Sequence, residues 1–381
     1  MAELLRIDTR GPPAPACEHV LHVVDADIAA RLGPTIGQVT RAIAAAGVRT
    51  SILADDPLWG AKFTAPLVEC HTLPRWGGWR GWGLAGWLDT HFKPAPDILH
   101  LWGTAGLWTL DRWARRNGVP LVVQVFDSRH VQRLRRGGGQ VVTAAAGLAG
   151  MLRERFPLLA QRCRTIPPAI DVPARASWPA DEDHIFSILC VSRLGEHRGL
   201  ELLIDAVAQL RRSRCDLQMA LVGAAAGVDA LWRRIRQRQV RECVSLIDEP
   251  GLWEKVLPEV DACIVPARQT ELSIVPLLAM GLGKIVIASR DQLAEWFIED
   301  RTAWQFTPGS AVELAYLLTR AIEQPRAARE LTAAAGEYVR THHAVRDMVE
   351  SLRALYQALA RERNGAVQSG PTERNSGRDG A

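Results

Sequence analysis

No two of the chain's seven cysteines form a Cys-x-x-Cys pair. Cys17, Cys70, Cys163, Cys190, Cys215, Cys243 and Cys263 are widely spaced and odd in number, which excludes the common zinc and disulfide frameworks. Several sit in apolar runs, as Cys190 does between Leu189 and Val191, and these read as buried reduced thiols. No apolar stretch approaches the ~20 residues of a membrane span. No basic segment followed by an apolar run opens the sequence, so a cytoplasmic chain is expected. Charge of one sign is also scarce: 46 basic residues face 42 acidic ones, a net charge of +4. That balance, without a Lys/Arg run interleaved with aromatics, excludes a nucleic-acid binder. It leaves room for anionic small molecules or peripheral contact with the inner face of a membrane. Tyr and Phe are few, at 3 and 7, whereas Trp reaches 13.

What is present is an alternation of short apolar runs and helical patterns, which points to parallel sheets with crossover helices. Val20–Val24, Thr50–Leu53, Asp97–Leu101, Pro120–Val125, Val141–Thr143 and Arg164–Ile166 read as strands. Gly37–Ala46 reads as the first helix, stopped by Gly47. After a linker over residues 174–184 the pattern restarts. Strands are expected at Ile185–Val191, Leu217–Val222, Val244–Ile247, Ala262–Val265 and Lys284–Ala288, with a helix at Leu200–Leu210. The expected organisation is a disordered N-terminus (1–17), a Rossmann-like domain (18–175), a second one (176–345), a C-terminal helix (346–363) and a disordered tail (364–381). In such sheets ligands bind beyond the carboxyl ends of the strands, here in the cleft between two units.

Two blocks carry a family resemblance. Ile188-Leu189-Cys190-Val191-Ser192-Arg193-Leu194 precedes Arg198-Gly199-Leu200-Glu201. A longer block runs from Pro266 through Thr270, Glu271, Ser273, Leu278 and Met280 to Gly283-Lys284 and Ser289. Together they resemble the retaining GT-B glycosyltransferases that use nucleotide-diphospho-sugars and carry a Glu-x7-Glu segment. The resemblance implies an α/β GT-B fold, two Rossmann-like doubly wound domains facing a central cleft. It also implies a nucleotide-sugar donor as co-substrate, with no separate cofactor and no metal. Arg193 and Arg198 fall where that family places its diphosphate-binding cations. Fixed cations aimed at a departing diphosphate lower the barrier to its release; the plainer reading is two surface arginines beside a turn. Thr270, Glu271 and Ser273 would line the donor sugar, and Asp127 and His130 would face the cleft from the first domain as catalytic residues.

The departures are specific. The family's two glutamates fall on Thr270 and Leu278, and a leucine cannot grip ribose hydroxyls. Glu271 stands one residue past the first position; it either substitutes or is a solvated acid near a helix start. Phe126 occupies the place where many members have a histidine. Residues 290–295 lack the family's glycines. Gly33-Pro34-Thr35-Ile36-Gly37 is read as an altered glycine loop before the first helix, with Gly33 on the donor side, or as an ordinary turn. The segment Trp76–Trp87 and nearby Trp102 fit three uses: packing, membrane-surface docking, or stacking on a carbohydrate or glycolipid acceptor by Trp76, Trp79, Trp82 and Trp102. Two functions remain: glycosyl transfer from a nucleotide-sugar to an unknown acceptor, and a catalytically inactive GT-B-like scaffold serving a partner.

Overall fold

A computed structural model describes residues 17–55, 65–73, 83–134, 139–171, 184–192, 194, 199–212, 217–223, 228–267, 272–290 and 292–368. The first sheet holds seven parallel strands in the order β3-β2-β1-β4-β5-β6-β7. They are β1 (His19–Val24), β2 (Arg49–Ala54), β3 (Val68–Thr72), β4 (Ile98–Trp102), β5 (Leu121–Val125), β6 (Gln140–Thr143) and β7 (Cys163–Thr165). The second sheet holds six in the order β10-β9-β8-β11-β12-β13: β8 (Phe186–Val191), β9 (Leu217–Val222), β10 (Val244–Ile247), β11 (Ala262–Val265), β12 (Ile285–Ser289) and β13 (Trp304–Phe306). In both sheets the order reverses beside the first strand, which is the switch point where ligand crevices open. Parallel strands covered on both faces need apolar residues throughout, and β4, β5, β11 and β12 are buried along their whole length.

Helix α1 (Ala26–Ala45) corrects the expectation of a glycine loop around Gly33. Its N-cap is Asp25, whose carboxylate accepts from Ile28 N at 2.8 Å, so the helix starts eleven residues before Gly37. Gly33, Pro34 and Gly37 lie inside it, and both glycines are buried. An internal proline costs about 3 kcal/mol. The offset is the stripe Ile28, Leu32, Ile36, Val39 and Ile43, all 0–1% exposed. Thr35 Oγ further ties the helix to Ala169 O at 2.8 Å.

The first domain also carries α2 (Gly83–His91), α3 (Leu107–Arg116), α4 (Ser128–Arg133), α5 (Ala146–Arg155) and α6 (Pro157–Ala160). The second carries α7 (Leu200–Arg212), α8 (Asp229–Arg238), α9 (Trp253–Val256), α10 (Val275–Gly281), α11 (Ala311–Glu323) and α12 (Pro325–His342). The last helix, α13 (Val345–Gln368), runs past residue 363 into the segment expected to be tail, and it packs on α1 of the first domain. His343 makes the crossing. Its backbone carbonyl accepts from Ile170 N at 3.0 Å, and its Nδ1 lies 2.8 Å from Pro168 O. Cys17, the last residue of the expected disordered N-terminus, is buried, and residues 1–16 lie outside the described set. No helix among the described residues is long and apolar enough to cross a membrane.

Candidate active site

The segment past β5 and the segment before α10 meet directly. Phe126, just past β5, accepts through its carbonyl from Leu272 N at 2.8 Å. This bond joins the first domain to the loop before α10, beside Ser273. A second bond reaches from Ala146 N, at the start of α5, to Glu295 Oε2 at 2.9 Å. Next to it, a Cβ on Gly147 would stand 2.3 Å from Leu293 O, so only glycine permits this approach. Leu293 and Glu295 thus dock on the first domain, where Glu295 caps a helix start.

On the first-domain side, Asp127 and His130 stand together as expected. Asp127 is the N-cap of α4, accepting from His130 N at 2.6 Å. Its other oxygen lies 3.5 Å from His130 Nε2 and 3.6 Å from Arg31 Nη2. Phe126 N donates to His130 Nδ1 at 3.3 Å, which fixes the neutral tautomer with its proton on Nε2. Burial lowers the His130 pKa, with Asp127 pulling the other way. The ring also packs behind Gly103 (φ +98°), where a Cβ would meet His130 Cε1 and Nε2 at 3.4 Å. Both side chains are buried, so this pair shapes the end of β5 rather than presenting an open acid or base.

Arg31 has no signal in the sequence that marks it as a site residue; the early start of α1 brings it to Asp127. Asp25 and Asp27 have an Asp-x-Asp spacing, yet Asp25 caps α1 and Asp27 accepts from Arg31 at 2.9 Å. Burial raises the Asp25 pKa.

On the second-domain side two glycines mark close backbone approaches. Gly199 (φ +71°) begins α7 with its Cα against Pro266; a Cβ there would lie 2.6 Å from Pro266 O. Gly223 (φ +153°), after β9, leaves no room for a Cβ, which would fall 1.7 Å from Ser192 O. The backbone just past β8, β9 and β11 thus comes together at Ser192, Gly223, Gly199 and Pro266. Arg193, Arg198, Thr270 and Glu271 themselves lie outside the described residues, as do Trp76, Trp79 and Trp82. Ser273 Oγ accepts from Val275 N at 3.2 Å, satisfying one orphan donor at the start of α10. Leu278, one face further along α10, is half-buried and packs on the core.

Trp102 needs correction as an acceptor platform. It is 0% exposed, its Nε1 donates to His22 Nδ1 at 3.0 Å, and its ring stacks on His100 at 4.7 Å and Phe126 at 6.0 Å. As the last residue of a strand buried on both faces, it has no surface to offer a sugar.

Residues 185–324 match the family described as "Glycosyl transferases group 1". No curated protein matches the chain. Among solved structures, a glycosyltransferase from Rickettsia africae ESF-5 superposes with a TM-score of 0.72 at 15% identity, over 90% of this chain and 98% of that one. A sucrose-phosphate synthase from Thermosynechococcus elongatus gives 0.72 at 17% identity, over 91% of this chain and 100% of its own. Anabaena HepE in complex with UDP gives 0.71 at 17% identity, over 90% and 100%. At such identities the likeness speaks for the fold alone. Residues 185–324 are thus similar to the group 1 glycosyl transferases, and the chain as a whole shares the two-domain GT-B fold of these solved structures.

Proposed function

We propose that the chain transfers a sugar, with retention, from a nucleotide-diphospho-sugar to a carbohydrate or glycolipid acceptor, as a peripheral protein at the inner membrane face. One observation supports this reading: Gly199 and Gly223 let the backbone after β8, β9 and β11 pack closely, Gly199 against Pro266 and Gly223 against Ser192. In this reading Arg193 and Arg198 hold the diphosphate as it gains charge. The loop of Thr270, Glu271 and Ser273 lies over the sugar, and Leu278 meets the ribose without a hydrogen bond. Asp127 and His130 act as positioning residues for the end of β5. Trp76, Trp79 and Trp82 supply stacking faces for the acceptor. The complex of HepE with UDP supports a nucleotide donor by analogy of fold.

A second reading, a scaffold without catalysis, is favoured by the closed state of the first-domain groups: Asp25, Asp127 and His130 all spend their hydrogen bonds inside the protein. Calorimetric titration with UDP, GDP and ADP separates the two. Binding of one nucleotide, weakened by about 2–3 kcal/mol in Arg193→Ala, is the expected result. Absence of binding to all three would leave the scaffold reading standing.

A further inference from the structure

One of the chain's basic runs lies in the second domain. Between Arg211 and Arg241 the sequence carries eight arginines against Asp216 and Asp229, a net +6, while the whole chain has +4. Seven of those arginines are described: Arg211 and Arg212 at the end of α7, Arg233, Arg234, Arg236 and Arg238 on α8, and Arg241 just after it.

The fold turns this run into one surface. Leu231 and Ile235 of α8 are buried, which sends Arg233 and Arg236 outward. Arg234 and Arg238 reach across to α7 and both grip Asp205. Arg238 and Arg212 line one depression beside Ala311. Arg211 meets Glu242 at 3.3 Å, next to Arg241. Asp205 and Glu242 are thus engaged with Arg234, Arg238 and Arg211. Arg212, Arg233, Arg236 and Arg241 are exposed and have no carboxylate partner among the described residues. Close-set guanidiniums without counter-charges repel one another and destabilise the free protein, so an anionic partner that covers them gains what that repulsion costs. The one aromatic residue of α8, Trp232, is half-buried against the second core, so the face offers no stacking platform for bases. A basic face on an amphipathic helix, rich in the side chain that grips phosphate oxygens two at a time, fits a phospholipid headgroup layer.

We infer that the α7–α8 face of the second domain, centred on Arg212, Arg233, Arg236 and Arg241, docks the protein on an anionic phospholipid surface. This rests on the peripheral-membrane part of the reading above and adds the surface that makes the contact. It does not depend on donor chemistry.

The test is co-sedimentation with vesicles of phosphatidylcholine alone and of phosphatidylcholine with phosphatidylglycerol. The protein is expected to pellet with the anionic vesicles only, and to be released by salt at about 0.5 M, where exposed charges are screened. The triple variant Arg233→Gln, Arg236→Gln, Arg241→Gln should bind at least about tenfold more weakly. A control that removes the same charge elsewhere, Arg326→Gln, Arg329→Gln, Arg346→Gln, should stay within about twofold of the wild type. Circular dichroism checks both folds, and Arg212→Gln with Arg236→Gln serves if the triple variant does not fold. Equal weakening by the two triple variants would mean that net charge, not this face, makes the contact. Equal binding to neutral vesicles, or retention on heparin without pelleting, would also overturn the proposal. Nucleotide titration of the same variants keeps the two readings apart: binding of UDP, GDP or ADP is expected to be unchanged.

Discussion

At the scale of single residues, Trp102 shows how chemistry on paper and chemistry in place diverge. An indole at the end of a strand beside a cleft invites a stacking role, yet its neighbours His22, His100 and Phe126 enclose it completely. Trp102→Ala should therefore cost about 3–5 kcal/mol of stability in urea unfolding. An intact midpoint with a loss confined to acceptor affinity would speak for the surface role instead. The same enclosure keeps histidines neutral. Burial lowers His22 to about 3, and it also lowers His130 despite Asp127. Unfolded histidine titrates near 6.5, so the unfolded chain takes up these protons first. Stability is then full above pH ~6.5 and falls as pH drops towards the folded values, by up to about 1.4 kcal/mol per pH unit for each histidine. Urea midpoints should be flat from pH 8 to 7 and decline below 6.5. A profile that stays level to pH 5 would contradict the buried neutral state.

Among elements, α13 contributes to a domain far from it in sequence. Tyr356 OH lies 2.5 Å from His100 Nδ1 at the centre of the first sheet, and both side chains are fully buried. Tyr356→Phe leaves that imidazole nitrogen without its partner and should cost about 1–3 kcal/mol, read as a lower thermal midpoint. A neutral result would mean that water takes the hydroxyl's place. Elements also show what the sequence makes legible. Runs of Val, Ile and Leu located the strands from β8 to β12 because a strand buried on both faces tolerates little else. β13, the three residues Trp304–Phe306, is too short to show a pattern, and β3 reads Val-Glu-Cys-His-Thr, the mixed composition of an edge. The first helix extends beyond the expected Gly37–Ala46: Gly33-Pro34-Thr35-Ile36-Gly37 reads as a loop or turn, whereas the burial of its stripe overrides propensity. In the candidate site, the Asp127–His130 pair was legible from its place after β5. Arg31 and Glu295 were not, because each acquires its partner only when distant segments meet.

For the molecule as a whole, the relation between the two sheets rests on close backbone approaches. Gly147 abuts Leu293, with Phe126 and Leu272 bonded nearby. Gly147→Ala should wedge the domains apart, since interiors do not absorb a contact of 2.3 Å without moving. Small-angle scattering is expected to show a larger radius of gyration at nearly unchanged helix content. An unaltered radius would mean that the segment at 293 yields instead.

The return of α13 to the first sheet has a consequence for the order of events at the ribosome. Strands β1 to β7 emerge long before residue 345, but the face that holds His22, His100 and Trp102 waits for Tyr356 to cover it. Domains usually fold as they are made, the amino-terminal one first. Here the earlier-made of the two domains is closed only by α13, so the face of His22, His100 and Trp102 stays uncovered until Tyr356 is made, an interval open to a chaperone.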